Sequence, residues 1–142
     1  MTTPFLIDDL EGDEGLRLHA YQDTVGVWTI GWGHTGPEVK AGLTWTDQEA
    51  HAALLADIAR AEQQLDARLP WWRRLDDVRQ DVIVEMAFNL GVGGLLTFEH
   101  MLDAAHAGEW QRAGSLMLLS KWARQVGNRA MRLADMMERG SR

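Results

Sequence analysis

Glu14, Asp23 and Thr29 follow the pattern E-x8-D-x5-T inside the stretch EGLRLHAYQDTVGVWTIGWGH, which runs from Glu14 to His34. Two carboxyl groups and a hydroxyl in different surroundings suit glycoside hydrolysis. That reaction needs an acid to protonate the leaving oxygen, and a carboxylate to activate water, attack, or stabilise an oxocarbenium-like state. Glu14 suits the acid role if it ends a helix and faces an apolar cleft, because burial raises a carboxyl pKa and keeps its proton near neutrality. Asp23 opens the turn signal Asp23-Thr24-Val25-Gly26, whose N–H groups would hold it ionised. Thr29 is no base at its own pKa, but its hydroxyl can share a water with Asp23. The set favours attack by water, with inversion, over a covalent intermediate. Spacing by itself carries little, since 21 acids in 142 residues give many such pairs by chance.

The elements around these residues follow from periodicity. Pro4 can open a helix, where its missing N–H costs nothing, and Phe5, Leu6, Ile7 and Leu10 continue it to about residue 12. Glu14 then falls at or just past the helix end. Leu16, Leu18 and Ala20 alternate with Arg17, His19 and Tyr21, and Val27 to Ile30 are strand-formers, so residues 16–34 read as a β-hairpin. Gly31 and Gly33 interrupt the second strand, which signals a bend or a close backbone approach. Trp28 and Trp32 suit either cross-strand packing or a platform for a sugar face. Thr46-Asp47-Gln48-Glu49 is a capping box. The apolar residues Ala50, Leu54, Ile58, Ala61, Leu65 and Leu69 follow on one face of a long helix that stops before Pro70. Its opposite face (Asp57, Arg60, Gln64, Arg68) reads as solvated. Asp76 or Asp77 caps a helix that is apolar nearly all round and ends at Gly91. Gly91 to Gly94 reads as a flexible break. Thr97 caps the next helix, which ends at Gly108. Further helices are expected over 109–119 and after Asn128, with a short turn at Ser120-Lys121-Trp122.

The expected fold class is α+β, mainly α. A small β lobe over about 13–45 joins a connecting helix over about 46–69. A helical lobe follows over about 70–142, with the N-terminal helix 4–12 packed on it, and the cleft lies between the lobes. The chain reads as a single domain. It has no cysteine, which removes disulfides and thiolate chemistry. The net charge of −7 disfavours nucleic-acid binding. The charge is uneven. Residues 1–66 carry Arg17, Lys40 and Arg60 against twelve acids, whereas residues 121–142 carry six basic side chains against Asp135 and Glu138. These are either two solvated surfaces or a basic tail facing an acidic cleft or an anionic polymer. No signal peptide or membrane-spanning run is read, and no set of His, Cys and Asp stands at metal-ligand spacing.

The Glu14–His34 stretch resembles the signature of the phage-type lysozymes: a glutamate, an aspartate after eight residues, a threonine after five more, and an ending T-I-G-x-G-H. Met86-Ala87-Phe88-Asn89-Leu90-Gly91 is similar to the family's F-N-x-G helix end. Ser120-Lys121-Trp122, with Asn128-Arg129-Ala130 and Arg132, is similar to its C-terminal S-x-W and N-R-A-x-R pattern. The resemblance covers about residues 5–140. It implies a lysozyme-like fold and an endo-acting muramidase that cuts the β-1,4 bond between N-acetylmuramic acid and N-acetylglucosamine in bacterial peptidoglycan. It makes Glu14 the general acid, with Asp23 and Thr29 positioning the water. It pairs Arg129 with Glu14, which lowers the Glu14 pKa where burial raises it. His34 supports the hairpin through a carboxylate on the last helices. Phe88, Asn89, Trp122 and Gln125 line the helical side of the cleft, although Phe88 and Trp122 equally suit the core. No metal or cofactor is implied, and a monomer is expected.

Three departures from the family stand out. The loop from Thr35 to Thr46 is short, the charge is acidic where many members are basic, and no N-terminal anchoring segment is read. The expectation is an endolysin made in the host cytoplasm and released through a separate pore protein. The alternatives are a wall-binding or phage structural module with a vestigial site, and a lytic transglycosylase.

Overall fold

The computed structural model describes residues 3–142. Helix α1 (Pro4–Glu14) starts as its sequence requires. The Thr3 hydroxyl accepts the Leu6 N–H at 3.0 Å and Pro4 occupies the first turn. Strands β1 (Arg17–Gln22), β2 (Trp28–Gly31) and β3 (His34–Thr35) form one antiparallel sheet in the order β1-β2-β3. Tyr21 pairs with Thr29 and Gln22 with Trp28; Thr29 pairs with Thr35 and Ile30 with His34. The hairpin is where the alternation placed it. The third strand and a further edge pairing were not foreseen. Ala20 N donates to Leu43 O at 2.9 Å and Trp45 N to Leu18 O at 2.8 Å, so the stretch read as a plain loop lies against the free edge of β1.

Helix α2 (Asp47–Arg68) opens on the reciprocal capping box. Thr46 N donates to Glu49 Oε1 at 3.0 Å and Glu49 N to Thr46 Oγ1 at 3.1 Å. All six residues of its apolar stripe, from Ala50 to Leu69, are buried. By its contacts the chain forms two compact units, one ending at Arg60 and the other running Ala61–Arg142, so the boundary falls inside α2.

The second unit is helical. A short 3-10 turn (Trp72–Arg74) leads into α3 (Asp77–Leu96), capped by Asp76, whose carboxylate accepts the Arg79 N–H at 3.2 Å. Helical geometry breaks at Gly91, where the sequence ends the helix. That residue alone leaves helical geometry (φ 74°, ψ 155°), and the chain resumes a helical turn to Leu96. The flexible break of the sequence reading is therefore a kink, possible because Gly91 has no Cβ to clash at positive φ. Thr97 caps the end of α3 and not the start of the next helix. Its hydroxyl donates to Gly94 O at 2.6 Å, closing α3, and Phe98 stands before α4 (Glu99–His106). Helices α5 (Trp110–Leu118), α6 (Lys121–Val126, capped by Ser120) and α7 (Asn128–Arg139) complete the unit.

Val82, Ile83, Val84, Met86 and Ala87 make α3 a buried helix, as its apolar surface predicts. Three charged residues are buried on it as well: Arg79, Asp81 and Glu85. Each has a partner from the C-terminal segment. Arg132 Nη2 lies 2.7 Å from Glu85 Oε1 and Arg129 Nε 3.6 Å from it, and Arg142 Nη2 lies 2.6 Å from Asp81 Oδ2. Arg79 donates to the Met137 and Glu138 carbonyls at 2.6 and 3.0 Å, capping the last turn of α7. The basic tail is thus largely engaged inside its own unit, a use that neither reading of its charge anticipated.

Candidate active site

Glu14 is the last residue of α1. Gly15 follows at φ 68° and turns the chain toward β1, with its N–H on Glu11 O at 3.2 Å. The Glu14 carboxyl lies close against the backbone of Gly33. A Cβ at Gly33 would stand 2.8 Å from Glu14 Oε2 and 3.3 Å from Cδ, so the Glu14 carboxyl would have to move to admit it. Gly33 also has φ +74°. The glycine interruption in T-I-G-W-G-H is therefore a close backbone approach at both places: Gly33 faces Glu14, and Gly31 faces the Trp45 ring, with Cζ3 3.0 Å from where a Cβ would stand.

Asp23 occupies the β1–β2 turn. Its Oδ1 accepts two backbone N–H groups, from Val25 at 2.9 Å and Val27 at 2.8 Å. Its backbone closes the same turn, with Asp23 N on Val27 O at 2.9 Å and Gly26 N on Asp23 O at 3.0 Å. One carboxylate oxygen is thereby fixed in place. Thr29 is buried on β2, and its hydroxyl donates to Val27 O at 3.0 Å. With that proton committed, Thr29 Oγ1 presents lone pairs and acts as an acceptor. Both groups are thus oriented by the same five-residue turn.

His34 begins β3 and sits between two carboxylates. Nδ1 lies 2.7 Å from Asp57 Oδ2 and Nε2 2.6 Å from Glu38 Oε1, and Trp45 packs at 5.3 Å between ring centroids. Burial opposes its charge. The hydrogen bonds to Glu38 and Asp57 and the charges of both carboxylates outweigh burial and raise the His34 pKa above its ordinary 6.5. The same contact lowers the Glu38 pKa. The partners differ from the expectation in place: they are Asp57 on α2 and Glu38 in the following loop, not carboxylates on the last helices. The α2 face read as solvated is therefore engaged at Asp57, whose side chain is only 14% exposed. No periodicity marks a polar-face aspartate as a histidine partner, so Asp57 and Glu38 were not legible.

In the helical unit, Trp122 Nε1 donates to Asn89 Oδ1 at 2.7 Å, joining two of the four residues expected there. Trp122 is buried and meets Phe98 edge-on at 6.0 Å, a partner the sequence did not mark. Phe88 is half-buried; Asn89 and Gln125 are exposed. Arg129 stands by Glu85 as described above. Among the described residues no group of three or more His, Asp or Glu side chains stands together as a metal site. Among the described residues no single helix is long and apolar enough to cross a membrane.

Comparison with known proteins places this geometry in context. The chain is 29% identical over 159 residues to probable T4-type lysozyme 1 of Dictyostelium discoideum, covering 94% of each chain. It is 31% identical to the pre-baseplate central spike protein Gp5 of Enterobacteria phage T4, over 93% of this chain but only 27% of that protein. It is 32% identical to the endolysin of Acyrthosiphon pisum secondary endosymbiont phage 1, over 81% of this chain and 75% of that one. The family model described as phage lysozyme matches residues 11–140, a span that takes in the Glu14–Gly33 approach, the Asp23 turn and the Trp122–Asn89 pair, and the chain belongs to the phage lysozyme family, a lysozyme-type peptidoglycan hydrolase.

Proposed function

We propose that the protein is an endo-acting muramidase that hydrolyses the β-1,4 bond between N-acetylmuramic acid and N-acetylglucosamine, with inversion. Glu14 gives its proton to the glycosidic oxygen as the bond to the anomeric carbon breaks. Water attacks that carbon from the opposite face. Asp23 accepts the proton that water loses, while Thr29 Oγ1 accepts a hydrogen bond from the same water and orients it. The observation that carries this reading is the turn that locks Asp23 Oδ1 on two N–H groups and commits the Thr29 proton to Val27 O. It leaves the second Asp23 oxygen and the Thr29 lone pairs for a water. A lytic transglycosylase expels no water-derived proton and has no use for such a pair.

We also propose that the chain works as one lysozyme domain and as a monomer, without cofactor. His34, Phe88, Asn89, Trp122, Gln125 and Arg129 support the site or the substrate. It would be made in the host cytoplasm and reach the wall through a separate pore protein. The similarity to a phage spike protein favours a second setting, in which the same activity serves a larger particle. Replacing Glu14 by Gln tests the activity: the fold should persist while clearing of outer-membrane-permeabilised Gram-negative cells disappears. Retained clearing would refute it, and wall binding without release of reducing ends by the wild-type chain would point to a vestigial site.

A further inference from the structure

The helical unit contains a pocket of about 360 Å³ lined by Trp71, Arg74, Asp76, His106, Gly108 and Trp110, among others. None of Glu14, Asp23 and Thr29 lines it. The volume is near the lower end of small-molecule sites, enough for one substituted ring. Its aromatic walls are set before any ligand arrives. The Trp71 and His106 rings stack at 4.6 Å with 3° between planes. The Trp110 ring lies under the Arg79 guanidinium at 3.8 Å. That guanidinium is itself held by Met137 O, Glu138 O and Asp76 Oδ1. Ordering rings in advance lowers the entropy lost on binding.

The charges of the lining are unequal. Asp76, the acid on the wall, has both oxygens engaged by Arg79, through the backbone N–H at 3.2 Å and Nη1 at 3.0 Å. Arg74 is exposed and makes no ion pair among the described residues. The pocket therefore offers indole faces and one uncommitted guanidinium. That combination fits a ring with an apolar face and a carboxylate, since a flat indole covers the apolar side of a pyranose and a guanidinium forks a carboxylate.

We propose that this pocket is a second wall-binding subsite that takes an N-acetylmuramyl unit, with its lactyl carboxylate on Arg74 and its sugar ring against Trp71 and Trp110. The proposal rests on the muramidase reading for the identity of the polymer. A weak contact of this kind raises residence on the strand through effective concentration. It also gives an acidic protein a hold on the wall that does not depend on net charge.

The test uses the full chain carrying Glu14→Gln, so that substrate is not consumed. Titration with N-acetylmuramic acid should move the indole N–H signals of Trp71 and Trp110 in NMR spectra. N-acetylglucosamine, which lacks the carboxylate, should move them far less. Arg74→Glu, an exposed change that spares the fold, should abolish the difference. Trp71→Ala and Arg74→Glu should each weaken co-sedimentation with purified sacculi about tenfold, in the range that a stacked ring or a charge-assisted contact carries. In the active chain, the same two changes should leave turnover of a short soluble oligosaccharide intact. Unmoved Trp71 and Trp110 signals, equal response to both sugars, preference for a nucleoside monophosphate, or unchanged sacculus affinity would each overturn the subsite. Failure of the muramidase reading shows separately, as clearing of cells that survives Glu14→Gln.

Discussion

At the scale of single residues, the two glycines of T-I-G-W-G-H separate backbone strain from chemistry. Gly31 and Gly33 share nearly the same positive φ, 67° and 74°. Alanine at either position should cost about 1–2 kcal/mol of stability for the left-handed backbone. Only at Gly33 does the added Cβ meet Glu14 Oε2. Gly33→Ala should therefore lower kcat about a hundredfold, the effect of displacing a catalytic group by an ångström. Gly31→Ala should lose stability against Trp45 while keeping most of its activity. Steady-state kinetics beside thermal melts of both variants decide this. His34 gives a second residue-scale prediction. Its folded pKa is raised, so its contribution to stability is whole below pH 6.5 and is lost as pH rises through the folded value. The Glu38 pKa is lowered, so its share is present above pH 4.5 and is lost as pH falls through its folded value. The stability gap between wild type and His34→Asn should be widest between about pH 4.5 and 6.5 and narrow on either side, read by urea unfolding across pH. The candidate trio stands out in the sequence by residue type and spacing, and the Asp23 turn was legible with it. Its geometry was only partly so: the glycine interruption announces a close approach but not its partner, and Asp57 sits on a helix face whose polarity looks ordinary.

At the scale of elements, local rules held where the signal is local. The Thr46–Glu49 capping box forms with both hydrogen bonds, and Thr46→Ala should cost about 1 kcal/mol in denaturant unfolding. The Pro4 start of α1 and the α2 stripe appear as read, Asp76 is the one of the two expected aspartates that caps α3, and the expected turn at Ser120-Lys121-Trp122 is instead the capped start of α6. The failures share a cause. Thr97 carries a strong local preference for an N-cap, but its hydroxyl closes α3 instead. The pairing of Leu43–Trp45 with β1 depends on residues more than twenty positions apart, and no periodicity reports it.

At the scale of the whole molecule, the uneven charge becomes intelligible. Of the six basic side chains over 121–142, Arg129, Arg132, Arg139 and Arg142 stand beside Glu85, Asp135 and Asp81. Removing Glu85, which is fully buried, should take away the carboxylate that Arg129 and Arg132 both approach. Glu85→Ala should destabilise the chain by about 3–5 kcal/mol, measured by chemical denaturation. With four of the six C-terminal cations beside carboxylates and a net charge of −7, the protein has little long-range attraction for an anionic wall. The initial rate of wall digestion should accordingly fall little between low and physiological salt, as turbidity at several ionic strengths would show. In the proposed mechanism Glu14 and the Asp23–Thr29 water pair cut peptidoglycan by hydrolysis. Digestion of purified sacculi in ¹⁸O-water, followed by mass spectrometry of the released muropeptides, tests it most directly. Each cut should add one labelled water, at a reducing N-acetylmuramic acid end, and Glu14→Gln should release nothing. Products with anhydro ends and no label, or release that survives Glu14→Gln, would contradict it.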